Sequence, residues 1–515
     1  MRARNHRSTR SRFVSVVADA VVAEKFLDPQ ALGHLRAAIR QPAYPVQISR
    51  IGVVHFGPGT FHRAHQAWCF DDLLARDFEW AVSAVSLKSR AVYDALEPQH
   101  GLYTVAVQDE PRQLRVIGAL RELLYAPHDP ARVLARLTSK HTRLVTLTVT
   151  PQGYCLGADG RLDLNHPDIR SDLAQPQAPT SVIGYLVEAL RRRRAESLKP
   201  FTTISCDTLP DNGRRLMRAT VDLAMAQKQH DLARWIVGEA AFPCSAIDCI
   251  VPPTDEALRQ HVTSMLGYRD RWPVQRESHA QWVIEDRFCN RVPDWASIGV
   301  TVTRDIGALE RLRVRVLLAA QSALAYLGLA CGHATIADAM ADAPLAALVE
   351  RLLRRDVLPT LTVPREIDAD AYVTTTLKRL RNPVMRHDLR DIAQNGSQRV
   401  PDRLIVALAE RLAQGEAVDR LCLPIAAWLD GLRRDARDGR AIVDPLSEPL
   451  TEAARNGNGN AAADLPEFLA LDTIFPLWLS SNPRFVEPLT RAYDRLASVG
   501  EPNAARVHAV LAGMV

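Results

Sequence analysis

One short stretch constrains the fold more than any other. Ile51–Phe56 is an uninterrupted apolar run, followed at once by Gly57-Pro58-Gly59 and then by a helical pattern over 61–74. A short apolar run bounded by glycines reads as a strand buried on both faces of a parallel sheet. Further strand-like runs occur at 81–87, 103–107, 144–149 and 202–205, with helical stretches such as 181–194 and 213–228 between several of them. That alternation predicts a mostly parallel, doubly wound sheet. From about residue 306 strands become rare and amphipathic helices dominate, at 309–329, 335–341, 345–353, 401–414, 423–434 and 487–497. The fold class is therefore α/β followed by all-α. The expected layout is an N-terminal extension over 1–44, a nucleotide-type domain over 45–298 and a helical domain over 299–515, with a cleft between the two domains.

Composition narrows the function classes. With 515 residues, 47% hydrophobic and 24% charged, the chain has the balance of an ordinary globular protein. A net charge of +5 is too small for its length to imply a nucleic-acid partner. Much of the excess sits in Arg2, Arg4, Arg7, Arg10 and Arg12, read as a solvated tail in preference to a transit peptide. No apolar run in the sequence approaches the roughly 20 residues of a membrane helix, so no membrane partner is expected. The eight cysteines form no CxxC pair and lack zinc-site spacing, which reads as a reducing, cytoplasmic setting without a metal.

Strand, Gly57-Pro58-Gly59 and helix together are the logic of pyrophosphate binding: bare glycines allow close approach, and a helix N-terminus offers unpaired N–H donors. The third glycine of the usual fingerprint is absent, with His62 in its place. The longer string Gly57-Pro58-Gly59-Thr60-Phe61-His62-Arg63-Ala64-His65-Gln66 resembles the signature of the polyol-specific long-chain dehydrogenases, the family of mannitol 2-dehydrogenase and the fructuronate and tagaturonate reductases. Supporting segments follow in the same order: Leu96-Glu97-Pro98-Gln99-His100-Gly101, Trp282-Val283-Ile284-Glu285-Asp286, Ser322-Ala323-Leu324-Ala325-Tyr326-Leu327-Gly328, Arg381-Asn382-Pro383 and Asn395-Gly396-Ser397-Gln398. The resemblance covers roughly residues 45–500. It implies a Rossmann-type domain that binds NAD or NADP, a helical substrate domain, and a sugar-type small molecule as substrate. It also implies that Gly57, Gly59, Phe61, His62 and Arg63 serve the cofactor, with Asp248 near the nicotinamide ribose. Ser86, Lys88, Ser89 and Arg90 after the second strand suit a 2′-phosphate or form a solvated basic loop, which leaves NAD and NADP both open.

The same resemblance implies where the chemistry lies, and here the chain departs from the family it resembles. A family lysine, an asparagine five residues on and a histidine three further share one helix. They correspond to Arg313, Leu318 and Gln321, and a second family asparagine corresponds to Thr208. Arginine stays protonated near neutral pH, leucine donates nothing to an oxyanion, and glutamine does not titrate. Glu310, on a proton path in the family, is retained, and it is the strongest remaining candidate for a base ahead of His55, His62, His65 and His333. Two functions follow as expectations: an NAD(P)-dependent oxidoreductase of a polyol, ketose or hexuronate, with Arg313 suited to holding an anionic substrate, or a non-catalytic descendant that binds a dinucleotide or sugar.

Overall fold

The structure is a computed structural model that describes residues 25–512, apart from 109–111, 150, 158–159, 208, 210, 364–366 and 384–386. Thr208 and the basic tail therefore lie outside the described residues. Eleven strands are described: β1 Ile51–Phe56, β2 Ala81–Ser86, β3 Tyr103–Val107, β4 Gln113–Ile117, β5 Leu120–Tyr125, β6 Leu144–Leu147, β7 Thr202–Ser205, β8 Ser245–Asp248, β9 Val274–Arg276, β10 Gln281–Glu285 and β11 Thr301–Thr303. The main sheet runs β5-β2-β1-β6-β7 and every neighbouring pair is parallel.

The apolar run of β1 is continuous because both faces of this sheet are covered. Val54 and Phe56 pack into a core shared with the helices Pro130–Thr138, Val182–Ala195 and Asn212–Ala226, whereas Val53 faces a second core shared with Gln66–Leu74. Side chains that alternate along one strand thus enter different cores. Tyr103–Val107, a strand in sequence, stands apart from the main sheet in a three-stranded sheet ordered β4-β3-β9. The edge strand β5 was not visible in sequence, because its Arg121 and Glu122 interrupt the apolar pattern. A third sheet, β11-β10-β8, ends at Asp248 and carries the chain past residue 300 before the helices begin.

The helical domain is built around Ile306–Cys331. Its residues pack with the helices Ile336–Ala341, Ala343–Arg351 and Asp419–Arg437 in one large apolar core. One helix, Ile306–Cys331, is long and apolar enough to cross a membrane by length and composition alone, although the sequence holds no uninterrupted apolar run of that length. This 26-residue helix has a mean hydropathy of 1.6 over its most apolar window. The sequence reading missed it by counting uninterrupted apolar residues, whereas Arg311, Arg313 and Arg315 cluster near one end. In the structure 78% of that window is buried inside the protein, which accounts for its apolarity as domain core.

The helix Gln66–Leu74, which follows the glycine turn, is fixed by Asp71. The buried Asp71 carboxylate accepts hydrogen bonds from Tyr44 Oη at 2.5 Å, Gly118 N at 2.8 Å and Arg115 Nη2 at 2.5 Å. Removing one member of a buried ion pair strands the other. Asp71→Ala is expected to lower stability by about 3–5 kcal/mol, read as a fall in the denaturant midpoint with little change in slope.

Candidate active site between the two domains

The glycine turn leaves β1 where the main sheet changes direction from β1 toward β6. Gly57 has φ of 88°, and a Cβ there would lie 2.5 Å from Thr148 O, so no other residue fits. Gly59 differs. Its backbone is extended, and a Cβ there would meet only Gly57 O at 4.0 Å. The fold itself does not require glycine at 59, and the bare position leaves open space beside the start of Thr60–Ala64. That helix has no side-chain cap at its N-terminus. Bare backbone facing an uncapped helix start is what a pyrophosphate needs, so these residues fit a dinucleotide.

Two of the residues expected to serve the cofactor support the turn from behind. His62 is buried and stacks on His55 with ring centroids 3.4 Å apart. Arg63 is also buried: its Nη1 donates to Trp272 O at 2.6 Å, and its guanidinium lies over the rings of Tyr103 and Trp272. Phe61 is half-buried and stacks on His65. Thr148 Oγ1 donates to Gly57 O at 2.6 Å, which leaves that hydroxyl to accept from His55 Nε2 at 2.9 Å, while His55 Nδ1 meets Thr146 Oγ1 at 2.8 Å. A neutral imidazole satisfies this set. Burial pushes His55 and His65 down to about 3 and drives His62 well below the ordinary histidine range, with the Arg276 charge adding to the effect at His65 and the Arg63 charge at His62. None of the three is basic enough to take a hydroxyl proton near neutral pH. His333 is no substitute either. It lies just beyond the far end of its helix, roughly 27 Å along the axis from Arg313, where it bonds Asp342 at 2.9 Å.

Beyond β2, Lys88 is paired with Asp168 at 2.9 Å and Arg90 with Asp94 at 2.8 Å. Their charges are partly balanced by carboxylates, so this loop decides nothing between NAD and NADP.

One partly exposed side of the long helix carries the positions aligned with the family chemistry. Glu310, Arg313, Leu318 and Gln321 are all half-buried, while Leu312, Val316, Leu317 and Ala320 between them are buried. They form one stripe at intervals of three to five residues. The interval stretches to five because Arg313–Leu318 is a π-turn, where sequence had implied a plain α-helix; such turns re-aim side chains along a helix. Burial, with Asp211 nearby, raises the Glu310 carboxyl above its usual range despite the opposing charges of Arg313, Arg214 and Arg311. Arg313 makes no ion pair among the described residues, and its buried Nε has no hydrogen-bond partner. Leu318 packs on the helical core. Arg315, which could have added charge beside Arg313, turns inward to Glu410 at 2.7 Å.

Asp248 sits at the seam of the domains. Arg379 Nη1 and Nη2 donate to its two oxygens at 2.7 and 2.8 Å, and Tyr372 Oη donates at 3.0 Å. Those partners, with His279 close by, outweigh burial and hold the carboxyl far below its usual range. Arg379 also bonds Glu277 at 2.7 and 2.9 Å. Sequence reasoning missed Arg379, Tyr372 and Glu277, although Arg379 stands two residues before the Arg381-Asn382-Pro383 string that it did notice. It also missed Arg399 and Arg403, which approach the same face. Arg403 Nη1 donates to Ser322 Oγ at 3.0 Å and Arg399 Nη1 to Ile392 O at 2.7 Å. Burial, together with the charges of Arg399 and Arg313, pushes Arg403 down to about 10.

The two glycines separate stability from binding. Gly57→Ala is expected to cost about 1–3 kcal/mol of stability through backbone strain. Gly59→Val should shift the melting temperature little yet weaken NADH binding by more than about tenfold, equivalent to about 1.4 kcal/mol, as read by nucleotide fluorescence.

The family comparisons fit this geometry. Residues 51–297 match the mannitol dehydrogenase Rossmann domain and residues 305–497 the mannitol dehydrogenase C-terminal domain. D-mannonate oxidoreductase of Escherichia coli (strain K12) is 37% identical over 457 residues, 87% of this chain and 93% of that protein. D-sorbitol dehydrogenase in its substrate-free form matches with a TM-score of 0.84 at 29% identity, covering 92% of this chain and 99% of that one. Mannitol 2-dehydrogenase of Pseudomonas fluorescens, solved as a ternary complex with NAD and D-mannitol, matches with a TM-score of 0.73 at 31% identity, covering 95% and 99%. With both halves matched in order, the chain belongs to the mannitol dehydrogenase family of oxidoreductases.

Proposed function

We propose that this protein is an NAD(P)-linked oxidoreductase that interconverts the alcohol and carbonyl forms of an anionic, hexonate-class sugar acid. One observation carries the substrate class: Arg403, bonded to Ser322 of the long helix, lies near enough to Arg399 and Arg313 to feel both charges, and none of the three forms an ion pair among the described residues. Guanidinium ions grouped without an ion pair to any one carboxylate repel one another and favour an incoming anion. A neutral polyol supplies no such charge. The resemblance to D-mannonate oxidoreductase, named for a sugar acid, supports the same class. The alternative of a non-catalytic descendant gains no support, since the named relatives are oxidoreductases.

The residues present assign the roles. A nicotinamide dinucleotide held at the Gly57–Gly59 turn would supply the hydride acceptor. Glu310, its carboxyl raised by burial, takes the hydroxyl proton in the oxidising direction and returns it in the reducing direction. Arg313, one helical turn on, cannot act as a base, but it donates hydrogen bonds to the oxygen on which negative charge builds. Arg403 and Arg399 hold the carboxylate of the substrate. Leu318, where the family carries a polar donor, leaves that share of the oxygen's stabilisation to Arg313.

A panel of hexonates and hexitols, followed by NADH and NADPH absorbance, tests this assignment. Hexonates are expected to turn over and hexitols to react poorly. Arg403→Gln should raise KM for the acid by roughly 10- to 100-fold, about 1.4–2.7 kcal/mol, with a smaller effect on kcat. Turnover of hexitols but not hexonates, or an unchanged KM in Arg403→Gln, rejects the substrate class.

The pH profile tests the base. Glu310 must be ionised to accept a proton, and its carboxyl is raised, so oxidation should fall off on the acid side at a pH above the usual carboxylate range. Glu310→Gln should lower kcat by about 10²–10⁴-fold and remove that acid limb. An acid limb that survives in Glu310→Gln assigns the proton to another group.

A further inference from the structure

At the far end of the Ile306–Cys331 helix, three distant parts of the chain meet. Cys331 closes the helix, Gly332 takes a φ of 89°, and His333 N–H returns to Gly328 O at 2.9 Å. This reversal sets His333 beside Asp342, the N-cap of Ala343–Arg351. Asp342 Oδ2 meets His333 Nε2 at 2.9 Å and, from the helix Ala504–Ala512, His508 Nε2 at 2.8 Å. The Cys331 thiol joins them: ligand atoms of Cys331, Asp342 and His508 all lie within 4.8 Å of one another. The Cys331 and Asp342 side chains are buried, while those of His333 and His508 are 23% and 31% exposed, which gives an ion a way in.

We propose that Cys331, Asp342 and His508 bind a divalent transition metal ion, Zn²⁺ above the others, with His333 steadying the ligating carboxylate. Thiolate, imidazole and carboxylate together form a zinc-type donor set, and the two anionic ligands balance the charge of the ion. Metal–ligand lengths of about 2.0–2.3 Å put tetrahedral donors about 3.3–3.8 Å apart, so side-chain shifts of about 1 Å close the site. His333 on the carboxylate is the kind of outer partner that orients metal ligands. Binding releases the thiol proton to solvent, because only the thiolate ligates. Lying at the end of the helix remote from Arg313, the site staples the last helix, Ala504–Ala512, to the core of the domain. Sequence spacing concealed it, since the ligands stand at 331, 342 and 508 with no paired spacing among them.

The test uses the tag-free full chain, stripped with a chelator and titrated with Co²⁺ and then Zn²⁺. One equivalent of Co²⁺ is expected to give a near-ultraviolet thiolate charge-transfer band with visible d–d bands, both erased by Zn²⁺. Cys331→Ser should lose the charge-transfer band. His508→Asn, at a part-exposed position chosen to spare the fold, should weaken Zn²⁺ binding by at least about tenfold. At one equivalent, Zn²⁺ should raise the melting temperature of the parent chain and raise it less in either variant. Absence of the charge-transfer band in the parent, or its persistence in Cys331→Ser, overturns the proposal and leaves two imidazoles that merely hydrogen-bond Asp342.

Discussion

Arg379 reaches from the helical domain to two carboxylates of the other domain, Asp248 and Glu277, with four hydrogen bonds between 2.7 and 2.9 Å. All three side chains are nearly inaccessible to water. Three charges withdrawn from water are tolerable only when each is paired and hydrogen-bonded, and the penalty for separating them is large. The geometry of this set is correspondingly restrictive. It fixes the end of β8 against the helix Ala369–Leu380, which packs on the π-turn that carries Arg313. The junction thereby ties β8 of one domain to the stretch of the long helix that carries Arg313.

The other side of the cleft depends on a different constraint. Gly57 turns the chain where no side chain fits, and the buried pair His55 and His62 fills the space behind it. Burial keeps both imidazoles neutral, so His62, stacked on His55, supports the turn from behind. The open space beside Gly59 suits phosphate binding through backbone amides.

Between these supports the long helix presents an altered set of groups. Arginine in place of a family lysine removes a base and brings a permanent planar cation; leucine removes a donor. Arg399 and Arg403 bring further positive charge to the same face. In the proposed function these groups leave Glu310 as the proton-handling residue and give the site a preference for negative charge. That balance agrees with a charged sugar acid as partner more closely than with a neutral polyol.

The sequence by itself determined the two-part architecture and the family, because strand periodicity, glycine turns and helix amphipathicity are local properties of neighbouring residues. It also singled out Gly57, Gly59, Glu310, Arg313, Leu318 and Gln321 as candidates, since all lie within or beside recognisable strings. Only the tertiary structure decided what those residues face. It turned His62 and Arg63 inward, Arg315 away to Glu410, and Asp248 onto Arg379. It placed Tyr103–Val107 in a separate sheet and showed the 26-residue apolar helix to be domain core. It also assembled Arg403 with Arg313, and Cys331 with Asp342 and His508. Pairings of that kind join residues tens to hundreds of positions apart. Their energies depend on burial and distance, and no local pattern in the chain encodes either.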